Sequence, residues 1–335
     1  MDVLYVSLAS TAGLRAADAE LAGALERAGA SVALVAPRPP RPVRTFALTD
    51  LAWARAARVA AQRGLAEHRP RALLYGAMGA ALLWPRPGAI RLDAPMAANR
   101  PGRHGLWQRR AERRRLREAP LLVTVSALTL AETPRPHPRA VVVPIAVAPS
   151  GPAERQRDIA ALTYAANPHK KGLDRVLAAW ARARRPGEEL WVAGVEPGAP
   201  VEGVRWAGRL APAGYRALVR RARVFVAAPR REDYGIAQLE ALADGCVLVT
   251  TPAPGPYEAL AVARGLDPRL VGEDLAGAIR TALDDPAAGY AVRAAAALER
   301  FSPAAVDETV AQDLLPALLG DRAACERRRP STFSG

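Results

Sequence analysis

Val3-Leu4-Tyr5-Val6-Ser7 is an apolar run of strand length that opens into Leu8-Ala9-Ser10-Thr11-Ala12-Gly13. An Ala/Leu-rich helical stretch follows to about Ala28, and Ser31-Val32-Ala33-Leu34-Val35-Ala36 then reads as a second strand. Strand, helix and strand in this order form a βαβ unit, whose right-handed crossover makes the two strands parallel. Open parallel sheets bind ligands beyond the carboxyl ends of their strands, so Gly13 is expected at a ligand-binding edge. A plain turn glycine would have the same spelling.

The pattern continues outward from this unit. Further strands are expected at Ala72–Gly76, Ala89–Leu92, Leu121–Val125 and Ala140–Pro144, separated by helical stretches at Leu51–Glu67 and Arg103–Glu118. Periodicity is lost over Pro144–Gln156, a linker rich in Pro, Gly and Ser. The alternation then resumes with strands at Ile159–Ala165, Leu190–Gly194, Val204–Trp206, Val224–Ala228, Cys246–Thr250 and Leu270–Gly272. Helices are expected from Leu173, Pro212, Gly235 and Asp274. Ser302-Pro303 starts a capped helix that runs to about Leu319. A chain of 335 residues exceeds one ordinary core, so two α/β domains are expected, at 1–150 and 151–301. The helix at 302–320 is expected to pack back on the first domain, and 321–335 to be a flexible tail.

Half of the residues are hydrophobic, enough for each half to bury a core. The formal charge of +14 raises affinity for any polyanion. Arg is nevertheless spread along the chain without interleaved aromatics or a nucleic-acid module, so nucleic acid is set aside as the main partner. Two cysteines, Cys246 and Cys325, form neither a disulfide framework nor a metal-ligand spacing. No export signal opens the chain and no apolar run approaches membrane-spanning length, so a cytoplasmic location is expected.

Lysine occurs only at Lys170 and Lys171, whereas the other strongly basic residues are all Arg. The pair lies in Asn167-Pro168-His169-Lys170-Lys171-Gly172, after a strand and before a helix, where backbone amides favour an anion. Lysine adds a compact, mobile charge suited to a phosphate that must arrive and leave, although two lysines capping a surface loop would read alike. Farther on, Glu232-Asp233-Tyr234-Gly235-Ile236-Ala237-Gln238-Leu239-Glu240 sets one glutamate in a loop and another on the helix that follows. A carboxylate accepts paired hydrogen bonds from vicinal hydroxyls, as in a ribose or hexose. Helix-dipole acids and a salt-bridged surface glutamate would share this spacing.

The longer run from Arg231 through Gly245 to Thr250 resembles the EX7E segment of the retaining GT-B glycosyltransferases of family 4. The resemblance extends to Val204-Arg205-Trp206-Ala207-Gly208-Arg209, Ala222-Arg223-Val224-Phe225-Val226 and Pro256-Tyr257-Glu258. It covers about residues 159 to 285 well and the first half in outline. It implies an α/β fold of GT-B type, two facing Rossmann-like doubly wound domains with a central cleft. The first would be the acceptor side and the second would bind the nucleotide-sugar donor.

The same resemblance implies that Glu240 holds the nucleotide ribose, Glu232 faces the donor sugar and Lys171 neutralises the diphosphate. Tyr234, Gly235 and Ile236 would pass close to the phosphates and sugar. The family usually carries an Arg five positions before the Lys, and this chain has Ala166 there; Arg209 or Arg231 would substitute. A family His that contacts the transferred sugar corresponds to Asp93 at the end of Ala89–Leu92, with His104 as the other candidate. Turn capping and a solvated loop are the competing roles of these two residues.

Arg103–Arg117 is a dense basic helix with Trp107 and Leu116, which is either a solvated face or a contact with an anionic membrane. The function implied is transfer of a hexosyl group from a nucleotide-diphosphate sugar to an acceptor, lipid-linked, glycan or small molecule, with retention of configuration. No metal or cofactor is expected, because no Asp-x-Asp pair follows a strand. A catalytically degenerate sugar-nucleotide-binding protein, a nucleotide-sugar epimerase and an Arg-rich nucleic-acid binder remain as alternatives.

Overall fold

A computed structural model describes residues 1–41, 43, 45–100, 102–152 and 156–320. The chain divides into two units, one of Met1–Ala146 with the segment from Pro303 on, the other of Val147–Ser302. The expected tail at 321–335, with Cys325, lies outside the described residues.

The first unit is built on β1 (Val3–Val6), β2 (Val32–Val35), β3 (Ala72–Tyr75), β4 (Ala89–Leu92), β5 (Leu122–Thr124) and β6 (Ala140–Val142). They form one parallel sheet in the order β2-β1-β3-β4-β5-β6. Every residue of β1, β3 and β4 is buried, as expected for strands covered on both faces. Alternate residues serve opposite faces: Val3 and Tyr5 join the core beneath the helix Ala12–Arg27, while Leu4 and Val6 join the core beneath the helix Phe46–His68. The chain reverses direction across the sheet between β1 and β3, so the first crevice lies at their carboxyl ends.

The terminal helical segment, Pro303–Thr309 continuing to Leu319, belongs to this first unit. Val306, Val310 and Leu314, spaced four apart, insert one apolar stripe into the core that holds Val3 and Tyr5. Arg27 and Asp307 pair at 2.7 Å at its rim.

The second unit holds β7 (Ile159–Tyr164), β8 (Leu190–Ala193), β9 (Val204–Gly208), β10 (Ala222–Ala227) and β11 (Val247–Thr250). All are parallel, in the order β11-β10-β7-β8-β9. The chain winds one way from β7 to β9 and then returns to β10, which places the switch point between β7 and β10. The run Leu270–Gly272, expected as a strand, is instead a 3-10 turn at Pro268–Leu270 followed by one bridge from Val271 to Thr250. Pro268 has no N–H to donate and fixes its φ, which suits the turn rather than a ladder. Among the described residues no helix is long and apolar enough to cross a membrane.

Candidate active site

The site grows from the two loops at the second unit's switch point. After β7 the chain turns at Asn167, whose side chain accepts the Lys170 N–H at 2.9 Å and starts a short helical turn over Pro168–Lys171. Gly172 ends that turn at φ +64°, and a Cβ there would lie 1.9 Å from the Ala228 carbonyl oxygen on the β10 side. Only glycine lets the two loops close to this distance. Arg230 then fastens them: its N–H donates to the Lys170 carbonyl at 2.9 Å, and its guanidinium grips Asp174 with two bonds of 2.7 Å.

This closure brings both lysines onto the acidic loop. Lys171 Nζ lies 2.5 Å from Glu232 Oε2, and Lys170 Nζ lies 2.8 Å from Asp233 Oδ2. The Glu232 side chain is only 7% exposed, so its charge is tolerable only because it is compensated. Gln238 Nε2 donates to Glu232 Oε2 at 3.3 Å and to the Tyr257 hydroxyl at 3.1 Å, and Tyr257 meets Thr250 Oγ1 at 2.8 Å. Arg231 pairs with Asp233 at 3.0 Å.

Gly235 precedes the helix Ile236–Ala243 at φ +95°, where a Cβ would meet Ala259 Cβ at 2.6 Å. No side chain caps this helix, so its first amides keep their capacity to bind an anion. Ile236 is exposed at the first helical position. Glu240 lies on the same helix, where Arg216 from the helix Pro212–Arg221 holds its Oε1 at 3.1 Å. Burial raises the Glu240 carboxyl above its ordinary value, and the Arg216 charge opposes that shift.

A recess of about 200 Å³ opens beside these loops, at the carboxyl ends of β7, β8 and β9. Tyr164, Ala166, Gly194, Arg209, Leu210 and Tyr215 line it. The Tyr164 and Tyr215 rings meet at 5.0 Å between centroids, and the buried Tyr215 hydroxyl has no partner among the described residues. Ala166 and Arg209 thus share one recess; the Arg209 side chain is exposed and pairs with Glu196 at 3.2 Å. Tyr164 also borders a narrow hollow of about 10 Å³, shared with Lys171 and Gln238.

The residues expected to act together are therefore sorted by the fold. Lys171 and Glu232 meet, whereas Glu240 pairs with Arg216, and Arg209 alone of the expected site residues lines the recess. The Tyr234 side chain turns into the core, packed edge-on against Phe301 at 6.4 Å, so only its backbone is placed to pass near a ligand. Asp93 and Gly13 belong to the first unit. Asp93 lies just past β4, exposed, with Oδ1 accepting the Ala94 N–H at 2.8 Å. Gly13 lies in the first turn of its helix, with open space where a Cβ would stand. The His104 side chain lies outside the described residues. Arg216 had no signal in the sequence, because it acts from a separate helix, whereas Gln238 and Tyr257 lay in runs that carry the resemblance but had no role assigned. Among the described residues no cluster of three His, Cys, Asp or Glu is placed to hold a metal ion.

Residues 158–285 match the family model described as Glycosyl transferases group 1. Curated proteins give no match to the sequence. Sucrose-phosphate synthase from Thermosynechococcus elongatus has a similar structure, with 14% identity, TM-score 0.72, and coverage of 96% of this chain and 100% of that one. WaaG, a glycosyltransferase of lipopolysaccharide biosynthesis, aligns with 16% identity and TM-score 0.67 over 98% of this chain and 100% of its own. Anabaena HepE in complex with UDP and glucose aligns with 14% identity and TM-score 0.70, over 94% and 99% of the two chains. At such identities the likeness speaks for the fold: this is the two-domain α/β GT-B fold, and its second unit carries a segment that matches the glycosyl transferases group 1 model.

Proposed function

We propose that the chain is a retaining glycosyltransferase that moves a hexosyl group from a nucleotide-diphosphate sugar to an acceptor hydroxyl. The observation that carries this reading is the Lys171–Glu232 contact at 2.5 Å, at the switch point of the segment that matches the family model. In the reaction, the bond from the anomeric carbon to the leaving phosphate oxygen breaks, and a bond to the acceptor oxygen forms on the same face. The acceptor's proton leaves on the departing diphosphate. Charge develops on that diphosphate, where the Lys171 ammonium and the amides of Gly235 and Ile236 stabilise it. No cofactor or metal takes part in this scheme. Arg209, on the recess with Ala166, supplies the cation that the family places five residues before the lysine.

Glu232 turns to the sugar when the diphosphate takes its lysine, and Gln238 keeps hold of its carboxylate. Glu240 accepts the ribose hydroxyls, and the base enters the recess between Tyr164 and Arg209. Asp93 and Gly13 are the first unit's candidates within the same proposal, for the sugar and the phosphates. The similarity to HepE, solved with UDP-glucose, supports a nucleoside diphosphate as the leaving group. We further propose peripheral attachment to an anionic cytoplasmic membrane through the helix Leu106–Glu118 and the turn before it. Arg103, Arg110, Arg113 and Arg117 form an exposed stripe there, with Leu106 among them.

A thermal-shift series with nucleoside diphosphates and their sugars tests the donor site. At least one nucleotide is expected to raise the melting temperature of the wild type and not that of Lys171→Ala. If none stabilises the wild type, the donor reading fails. Ala166 favours a second reading, a catalytically degenerate donor-binding protein, which stabilisation without transfer or hydrolysis would establish.

A further inference from the structure

The Arg216 guanidinium engages three separate partners near the candidate site. Its Nη1 lies 3.1 Å from Glu240 Oε1, its Nε donates to Asp244 Oδ2 at 2.7 Å, and its Nη2 donates to the Ala148 carbonyl at 2.8 Å. Asp244 is fully buried at the side chain and is itself fixed by the Ser150 N–H at 2.7 Å and the Ser150 hydroxyl at 2.9 Å. The guanidinium therefore cannot swing without breaking three directional bonds. Glu240, by contrast, has one oxygen bonded and, among the described residues, takes no hydrogen bond on Oε2.

We infer that Arg216 is a positioning residue that locks Glu240 in one orientation, with Oε1 engaged and Oε2 presented to a ligand's vicinal hydroxyls. The inference rests on the reading of Glu240 as the ribose contact, and it adds a residue in another helix that makes the contact effective. A free glutamate on a helix would sample several rotamers, and ordering one of them on binding would cost affinity. Holding the carboxylate beforehand removes that cost.

Electrostatics work in the same direction. Glu240 is faced by Arg216 and Tyr215 from the helix Pro212–Arg221 and by Asp244 at the end of its own helix. Arg157 reaches Asp244 only through the backbone carbonyl. Burial and Asp244 push the carboxyl toward its neutral form, and Arg216 is the cation that opposes them. A neutral carboxyl would accept one fewer hydroxyl bond, so loss of Arg216 moves the acid limit of diol binding to higher pH.

The test separates ribose recognition from phosphate recognition. Binding of UDP, 2′-deoxy-UDP and inorganic pyrophosphate is measured by calorimetry from pH 5.5 to 8.5 on the wild type, Arg216→Met, Arg216→Lys and Glu240→Gln. Hydrogen bonds to charged groups set the expected loss of UDP affinity in Arg216→Met at roughly 10- to 100-fold, with pyrophosphate changed less than about twofold. The acid limb of UDP binding is expected to move to higher pH in Arg216→Met and to vanish in Glu240→Gln. Removing the 2′-hydroxyl should cost the wild type much and Arg216→Met little, because both remove the same interaction. Arg216→Lys, which keeps the charge, should retain the wild-type acid limb, and Arg216→Gln serves in place of Arg216→Met if that variant does not fold.

Equal losses for UDP and pyrophosphate, or an unchanged preference for the 2′-hydroxyl, would overturn the inference and leave Arg216 a structural residue. A wild type that binds pyrophosphate but no nucleoside diphosphate of the thermal-shift series would instead overturn the assignment of Glu240, and the inference with it.

Discussion

Lys171 and Glu232 meet at 2.5 Å although 61 positions separate them in the chain. Each stands on a loop beyond a parallel strand, and β7 and β10 are neighbours only because the sheet reverses its winding between them. The two charges neutralise each other on the surface where a diphosphate is proposed to bind. A donor must therefore exchange one carboxylate for its own phosphates.

Lys171→Ala is expected to weaken nucleoside diphosphate binding by about 100-fold and to destabilise the fold by roughly 2 kcal/mol, since Glu232 is left without its counter-charge. Adding Glu232→Gln should restore stability without restoring binding. Chemical denaturation and calorimetry on the single and double variants check the two effects separately; parallel recovery of both would show that the pair is purely structural.

Gly172→Ala is expected to cost at least about 2 kcal/mol, because φ +64° is strained for alanine and the new methyl would strike the Ala228 carbonyl. The loop joining Lys170 to Arg230 should loosen first. Amide hydrogen exchange at Arg230, whose N–H binds the Lys170 carbonyl, reports this directly.

In the first unit, Glu112 caps the turn at Met96, accepting that N–H at 2.7 Å from an almost fully buried position. Burial pushes its carboxyl up to about 7 from an ordinary 4.5. A raised folded-state value means that the proton-linked stability is present in full below about 4.5 and is lost as pH rises through about 7. The cost of ionisation at pH 8 is of the order of 3 kcal/mol. Glu112→Gln is expected to flatten the fall in unfolding midpoint between pH 5 and pH 8, measured in urea; an unchanged slope would remove Glu112 as its source.

The stripe of Arg103, Arg110, Arg113 and Arg117 should bind vesicles containing phosphatidylserine with an affinity that falls steeply with salt, at about 1 kcal/mol per arginine. Replacing all four by glutamine is expected to abolish co-sedimentation while leaving nucleotide binding unchanged. Retention on vesicles by the quadruple variant would place any membrane contact elsewhere.

The strands were legible because both faces of each parallel sheet are covered, so runs such as Leu4–Val6 and Val224–Val226 are continuously apolar. Helices at Glu258–Leu266 and Tyr290–Leu298 escaped notice. Their many alanines blur the contrast between buried and exposed faces. At the site the resemblance brought the Tyr234 segment near a ligand, and only the fold shows that the Tyr234 ring packs into the core beside Phe301. Glu112 was hidden among arginines, where nothing local marks one glutamate of a charged helix as buried.

By itself the sequence determined two alternating α/β halves, the anion-friendly loop with the chain's two lysines, and the acidic loop that leads into a helix. These are properties of neighbours along the chain: apolar runs, glycines at turns, caps. Only the tertiary structure decided that Lys171 faces Glu232, that Arg216 holds Glu240, and that Val306, Val310 and Leu314 return to the first sheet. Those pairings follow from strand order and helix packing, in which burial of apolar faces brings distant residues together.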